Sequence, residues 1–292
     1  MVNPFAGQEG ATALLRRLRT ALDSLGAPFH LEQTTGAGHA TDLARDAARL
    51  GFDRVAVCGG DGTIAEAATG LAGSTTPLAI IPGGTGNQVA QNLGIPLDIA
   101  AAARVAVQGC ETTMDLGRIG DRYFALIAGA GFDAAVMRSA TRELKERWGL
   151  GAYVYAAVKE ALTLAPQRFS ITADDRQFEV DAVSVMVANA GELFGGWLPL
   201  RFSLAPEPEG AWRDGLFDVV IVAPRHAPDV ASILWRVAHR RFSGSERLVH
   251  FQAQSITIDA EPPIAVQIDG DPAGVSPVSM HVVRDALRVM VP

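Results

Sequence analysis

The sequence predicts a two-domain α/β protein: a parallel sheet covered by helices, then a mainly antiparallel β domain. Three observations predict it. In the first third, short wholly apolar runs alternate with amphipathic helical ones, the pattern of a parallel sheet buried on both faces. From about Glu111 the apolar runs lie closer together, and many alternate apolar with polar residues as half-buried antiparallel strands do. A length of 292 residues is long for one core and comfortable for two. The boundary is placed between residues 114 and 115, giving domains 1–114 and 115–292.

The elements follow in order. ATALLRRLRTALDSLG (11–26) has helical apolar spacing and stops at Gly26. PFHLEQT (28–34) is a short strand, and HATDLARDAARLG (39–51) a second amphipathic helix. RVAVC (54–58) is a buried strand, TIAEAATGLAG (63–73) a helix, and PLAIIP (77–82) another buried strand. NQVAQNLG (87–94) and DIAAAARVAVQG (98–109) complete the helices of this domain. The second domain reads as strands at ETTMDLGRI (111–119), RYFALIAG (122–129), QRFSITADD (167–175) and RQFEVDAVSVMVANA (176–190). Further strands are LFDVVIVA (216–223), RLVHFQA (247–253), SITIDA (255–260), IAVQID (264–269) and ALRVMVP (286–292). TADDRQ (172–177) is a hairpin turn. Two helices interrupt the strands, AYVYAAVKEALTLA (152–165) and APDVASILWRVAHRRF (227–242).

Composition narrows the function. Apolar residues make up 48% of the chain, enough for real cores. A net charge of -7 argues against a general nucleic-acid binder, which carries a basic field. Cys58 and Cys110 are the only cysteines, so neither a disulfide framework nor a cysteine metal cluster is expected, and the usage fits a reducing cytosol. No apolar run has the roughly 18 residues of a spanning helix, and MVNPFAGQEG has neither the basic region nor the apolar core of a signal peptide. The expectation is a soluble, cytoplasmic protein.

Two stretches carry chemistry. VCGGDGTIAEA (57–67) ends a buried strand in glycines and opens a helix at once. Such a turn presents free backbone N–H groups at a positive helix end and lets a phosphate approach the backbone closely. Asp61 would repel a bare phosphate; it fits beside one if it holds a metal ion, a water or a ribose hydroxyl. The same Asp-Gly pair also suits an ordinary tight turn. PLAIIPGGTGNQVAQNLG (77–94) repeats this grammar with Thr85 and Asn87. Two such loops after neighbouring parallel strands line the carboxyl edge of one sheet, where open α/β sheets bind ligands. Neither loop has the lysine of GxxxxGK[ST] or the spacing of GxGxxG.

GGDGT (59–63) followed by PGGTGN (82–87) closely resembles the diacylglycerol kinase catalytic-domain family, which includes bacterial lipid kinases and sphingosine kinases. The resemblance continues along the chain: NPFAG (3–7), Thr34 with TGAGHATDLA (35–44), DLGRI (115–119), AGAGFDA (128–134), ANAGELFGG (188–196), WRDGLFDVVIV (212–222) and QIDGDP (267–272). NAD kinases and phosphofructokinases share the GGDG turn but not PGGTGN or the later motifs. The resemblance implies a nucleotide-binding domain of NAD kinase and phosphofructokinase type, then a β-sandwich, with the active site between them. It implies transfer of the γ-phosphate of ATP, with Mg2+, to the hydroxyl of a lipid: a diacylglycerol, a sphingoid base or a phosphatidylglycerol-like acceptor. Gly59, Gly60, Asp61, Gly62, Thr63, Ile64 and Ala65 would hold the nucleotide with Thr34, Thr85 and Asn87. Asp61 would organise metal and water, and Asp271 would be the general base. Asp214 with the carbonyls of Ala211 and Leu216 would form a second, all-oxygen metal site suited to Mg2+ or Ca2+; alternatively Asp214 is a turn residue. A homodimer paired through the first domain is also a family trait.

Three departures accompany the resemblance. The family has glutamate at Asp271 and aspartate at Gln88, and its first strand precedes the NP motif, so an inner strand of the first sheet is expected to be missing. Asp115 joins the network around Asp61 or is a strand-start acid. A catalytically weak lipid- or nucleotide-binding protein of the same fold is the alternative these departures suggest. The helix at 227–242 combines Ile233, Leu234, Trp235 and Val237 with Arg236, Arg240 and Arg241; it packs on its own domain or lies on an anionic membrane. Trp197, Leu198 and Leu200 are candidates to line a lipid-tail cleft. His39, His226, His239, His250 and His281 fit no metal spacing and are assigned surface or capping roles.

Overall fold

The computed structural model describes residues 1–6, 11–131, 166–193 and 202–292. The first half runs α1 (Ala11–Ser24), α2 (His39–Arg49), β1 (Val55–Gly59), α3 (Asp61–Leu71), β2 (Leu78–Pro82), α4 (Gln88–Asn92) and α5 (Ile99–Gln108). Each element follows from its pattern. Gly26 ends α1 at φ 65°, a conformation glycine adopts freely. The Asp98 carboxylate caps α5 by accepting from Ala101 N. β1 and β2 pair in parallel, Val55 opposite Leu78 through Gly59 opposite Pro82, so both glycine loops leave the same sheet edge.

The strand expected at 28–34 is reduced to a single bridge. Val2 bridges Gln33 on one side and Cys58 on the other, both in parallel. The expected gap inside the sheet is filled by Met1–Asn3: Cys58 N donates to Met1 O, Asn3 N donates to Cys58 O, and Val2 is fully buried.

The second half holds β3 (Cys110–Ile119), β4 (Arg122–Phe124), β5 (Ile127–Gly131), β6 (Gln167–Ala173), β7 (Arg176–Ala182) and β8 (Ser184–Ala188). It continues through β9 (Glu192–Leu193), β10 (Phe202–Ser203), β11 (Phe217–Val222), a helix α6 (Ala227–Ala238), β12 (Leu248–Ala253) and β13 (Ser255–Glu261). It ends in β14 (Ala265–Ile268), β15 (Asp271–Val275) and β16 (Val278–Val291). Six strands form one antiparallel sheet in the order β12-β11-β8-β5-β14-β15. The facing sheet runs β1-β2-β16-β13-β6-β7, with β3 pairing β16 and β4. Side chains from both sheets, including Phe169, Ile256 and Met280 from one and Val187, Phe217 and Ile268 from the other, fill a shared core. This is a β-sandwich. Phe124 stacks on Phe217 with ring centroids 5.5 Å apart, and Gly117 leaves the space that Phe124 fills.

The long β16 binds the halves together. It pairs antiparallel with β13 and β3, and in parallel with β2 through Val289 and Leu78. The sequence showed it as a strand only from Ala286 onward, because a bulge between Val283 and Leu287 interrupts the alternation. Two other expected strands divide. RYFALIAG breaks at Ala125 and Leu126, whose N–H groups turn to a carboxylate. RQFEVDAVSVMVANA breaks at Val183, where the chain passes from one sheet to the other. The hairpin at TADDRQ is present, with Ala173 opposite Arg176 and Asp174 at φ 49°. The helix expected at 152–165 lies outside the described residues, as do Trp197, Leu198 and Leu200 and parts of the AGAGFDA and ANAGELFGG segments.

Candidate active site

The two glycine loops cross in contact. Gly83 N donates to Gly59 O at 2.9 Å, and a Cβ on Gly84 would lie 2.5 Å from the Gly60 Cα. Real Cβ atoms do not approach backbone that closely, so the crossing requires glycine. Asn87 closes the second loop from a left-handed conformation of φ 50°, its side chain donating to Gly84 O and accepting from Gly84 N, both at 2.8 Å. Asp61 ties the loops together, its Oδ1 accepting from Val89 N in α4 at 3.0 Å. Burial pushes the Asp61 carboxyl above its ordinary range, against the pull of backbone donors at Val89, Gln88 and Asn87.

Beside the crossing is a cleft of about 420 Å³. Gly60, Gly62, Thr63 and Gly84 from the loops line it with Asn3 and Thr34, and Asp271 joins them from the sandwich. Among the described residues no side chain caps the N-terminus of α3, so the positive end of an eleven-residue helix opens here. Asn3 Nδ2 donates to Thr63 Oγ1 at 2.9 Å. Among the described residues no lysine or arginine lines the cleft, and the charged groups there are Glu66 and Asp271. The arrangement suits an anion that brings its own cation: backbone donors and a helix end for phosphate oxygens, and oxygen ligands for a hard metal ion.

The structure thus brings Thr34, Gly60, Gly62, Thr63 and Asp271 to one cleft. Gly59 lies beneath it, its Cβ position filled by Thr63. Ile64 is buried with Leu71 and Ile80 between α3 and the parallel strands, Ala65 is half-buried on α3, and Thr85 is exposed on the second loop outside the cleft lining. Asp61 and Asn87 serve the loop crossing. Ala211, Asp214 and Leu216 occupy a separate turn. There Asp214 Oδ1 accepts from Leu216 N at 2.9 Å, and burial, with Asp218 and Asp115 nearby, raises the Asp214 carboxyl above its ordinary range. Among the described residues no three His, Cys, Asp or Glu side chains converge as a metal cluster; the turn offers one carboxylate and two carbonyls. Asp115 corrects both expectations made for it. It is buried in mid-strand and clamps this turn, Oδ2 accepting from Gly215 N and Oδ1 from Asp285 N, each at 2.8 Å.

Sequence reasoning missed four residues. Asp269 accepts from the backbone N–H groups of Ala125, Leu126 and Ile127 at 2.8–3.0 Å. Burial pushes its carboxyl up to about 6 against those three donors, and Asp61 adds repulsion. Glu66 caps α2 from the neighbouring helix, accepting from Gly38 N at 2.9 Å and Ala40 N at 3.2 Å. Asn189 donates to the carbonyls of Asp115 and Ala125. His250, assigned a surface or capping role, instead pairs with buried Asp218 at 2.7 Å, whereas His226 and His239 are the N-cap and C-cap residues of α6. The alternation at RLVHFQA and the Asp in LFDVV were the available signals for that pair, since they place both side chains on one face.

α6 packs on its own domain. Ile233 and Phe242 are buried in one cluster with Leu204, Val220 and Leu248, and Val237 packs against it; Arg240 pairs with Glu192 and Arg247 with Asp229. Trp235 stays half exposed, stacked on His239 and covered by the Arg241 guanidinium. No described helix is long and apolar enough to cross a membrane.

Crossed glycine loops at the edge of a parallel sheet, sharing a cleft with an acid from a β-sandwich, define a protein with an α/β half and a β-sandwich half. Comparison with known proteins makes the class specific. Residues 1–119 match the diacylglycerol kinase catalytic domain, and residues 127–291 match the YegS C-terminal NAD kinase beta sandwich-like domain. The chain is 31% identical to a diacylglycerol kinase of Mycobacterium tuberculosis, over all of this chain and 94% of the relative. It is 27% identical to a diacylglycerol kinase of Bacillus subtilis, over 94% and 89% of the two chains. The crystal structure of a diacylglycerol kinase from Bacillus anthracis superposes with a TM-score of 0.77 at 25% identity, over 100% of this chain and 95% of that one. The chain belongs to the diacylglycerol kinase family.

Proposed function

We propose that the protein is an ATP- and Mg2+-dependent lipid kinase that phosphorylates the hydroxyl of a diacylglycerol-like lipid. One observation carries the reading: Asp271 meets the uncapped end of α3 in a cleft between the crossed glycine loops and the sandwich. The first-turn N–H groups of α3, with Gly60, Gly62 and Thr63, hold phosphate oxygens. Thr34 and Asn3 flank the nucleotide. Asp271 accepts the lipid hydroxyl proton as the new O–P bond forms and the bond from the γ-phosphorus to the departing ADP oxygen breaks. Among the described residues the cleft lining holds acids and no basic side chain, so in this reading Mg2+ would neutralise the phosphate charge; Asp61, at the loop crossing beside the cleft, would hold it directly or through water. Asp214 with the carbonyls of Ala211 and Leu216 is a second, structural cation position in this reading.

The acceptor lives in a bilayer, so the reading includes peripheral contact with the inner face of the membrane. The test uses labelled ATP, Mg2+ and mixed micelles of bacterial lipid extract, with Asp271→Asn beside wild type. The expected result is one labelled lipid, lost at least a hundredfold in the variant. Absence of any labelled lipid from wild type that binds ATP would sink the reading. It would favour the binding-protein alternative, which has one observation behind it: among the described residues, no hydrogen bond reaches the short Asp271 side chain itself.

A further inference from the structure

We infer that Asp269 is a positioning residue that fixes the Asp271 carboxylate opposite the uncapped end of α3. The inference rests on the reading of Asp271 as the base. Asp271 is exposed, and its side chain has no hydrogen-bond partner among the described residues, so its place in the cleft is set by its backbone alone. That backbone is the first residue of β15, opposite Ile268 across a two-residue hairpin turn. Asp269 and Gly270 form the turn at φ 47° and 93°, the doubly left-handed geometry that an Asp-Gly pair favours.

A free hairpin tip of this kind pivots. This one is fastened through Asp269. The carboxylate Oδ2 accepts from Ala125 N at 2.8 Å, and Oδ1 accepts from Leu126 N at 3.0 Å and Ile127 N at 2.8 Å. The Asp269 N–H donates back to Ile127 O at 2.8 Å. The segment it grips is itself rigid: Leu126 O accepts from Asn189 N, and Ala125 O from the Asn189 side chain at 3.0 Å. Gln267 Oε1 accepts from Gly270 N, and Arg122 donates to Pro272 O, so the tip is also held on either side of the acid. The carboxylate interrupts RYFALIAG to do this: Ala125 and Leu126 leave the strand ladder and spend their N–H groups on Asp269. Charge-assisted bonds of this kind are stronger and more directional than neutral ones. A displacement of about 1 Å at a reacting group lowers rate by about a hundredfold.

The experiment compares Asp269→Asn, Asp269→Ala and Asp271→Asn. Asn-Gly suits the same turn, so the first variant keeps the fold while losing the charge and one acceptor oxygen. With labelled ATP and lipid micelles, Asp269→Asn is expected to lower kcat by about 10- to 100-fold, with KM for ATP within threefold of wild type, because the phosphate walls belong to the other half of the chain. Asp269→Ala should lose more kcat with the same KM. A kcat within threefold of wild type in both, or a KM for ATP that rises in step with the loss, overturns the inference. Asp271→Asn at wild-type rate instead overturns the base reading. If wild type itself labels no lipid, amide exchange decides. Protection lost at Ala125, Leu126 and Ile127 and around Asp271 in Asp269→Asn, with other sites unchanged, supports the fastening; unchanged protection overturns it.

Discussion

Gly84 and Gly62 line the same cleft, yet a methyl group should act on them in opposite ways. At Gly84 the new Cβ would sit 2.5 Å from the Gly60 Cα and 3.1 Å from the Asn87 Oδ1. Both neighbours are fixed: one is backbone, the other is bonded at 2.8 Å to Gly84 itself. The loops must separate by roughly 1 Å, straining the Gly83–Gly59 hydrogen bond and the Asn87 closure. Overpacking with a weakened polar contact puts the loss at about 3 kcal/mol, a fall in Tm of about 5–10 °C. At Gly62 a Cβ meets nothing within 4 Å among the described residues, and the residue has a right-handed helical place in the first turn of α3. Gly62→Ala should leave stability unchanged or raise it by up to about 1 kcal/mol through helix propensity. It should weaken ATP by about tenfold, about 1.4 kcal/mol, by placing a methyl where phosphate oxygens approach. Thermal unfolding and titration with a fluorescent ATP analogue separate the two effects. A Gly84→Ala protein with wild-type Tm, or a Gly62→Ala protein that binds ATP as wild type does, would refute the reasoning.

The Asp269 carboxyl, raised from 3.8 to about 6 in the folded chain, contributes stability that is fully present below pH 3.8 and lost as pH rises through 6. Relative to Asp269→Asn, wild type should therefore lose up to about 3 kcal/mol between pH 4 and pH 7; urea midpoints that move in parallel across this window would contradict the assignment. Glu66→Ala removes the cap of α2 and frees the loop that carries Thr34, so stability should fall by about 1 kcal/mol and KM for ATP should rise severalfold with little change in kcat; a fall in kcat alone would refute this role. On α6, Trp235→Ala combined with Arg241→Glu should reduce sedimentation with vesicles rich in phosphatidylglycerol, and salt should reduce wild-type binding in the same direction. Arg240→Glu should do less through lipid than through its lost pair with Glu192, and equal vesicle binding by all three proteins would remove this face from membrane contact.

The glycine loops were legible in the sequence because their constraint is local. A strand ending in Gly-Gly before a helix has few conformations, and the crossing with Gly84 repeats the pattern in the neighbouring strand. Asp271 was legible only through the resemblance, since Asp-Gly-Asp-Pro also reads as a plain turn. Asp269, Glu66 and Asn189 were not legible, because each acts on backbone N–H or carbonyl groups 26–144 residues away, which no side-chain pattern announces. The same cause hid Val183. Its run keeps alternating while the chain changes sheets, and only the positions of distant partners mark the crossing.

The boundary drawn from composition, between residues 114 and 115, falls inside β3, and this has a consequence for the first domain. Its core includes Met114 and Leu116 from β3, and Leu287, Val289 and Met290 from β16, at the far end of the chain. β2 has β1 on one side and β16 on the other. A fragment of residues 1–114 would expose the open edge of β2 and leave these apolar contacts to water. Burial of each large side chain contributes about 1.5–3 kcal/mol, so losing three or four removes most of the 5–15 kcal/mol that holds a typical domain. The fragment should show no cooperative thermal transition. A longer chain lacking only residues 278–292 should fail in the same way despite keeping both glycine loops. If either unfolds with a sharp transition near that of the full chain, then β16 is a peripheral strand, and the nucleotide wall and Asp271 belong to units that are independent of one another.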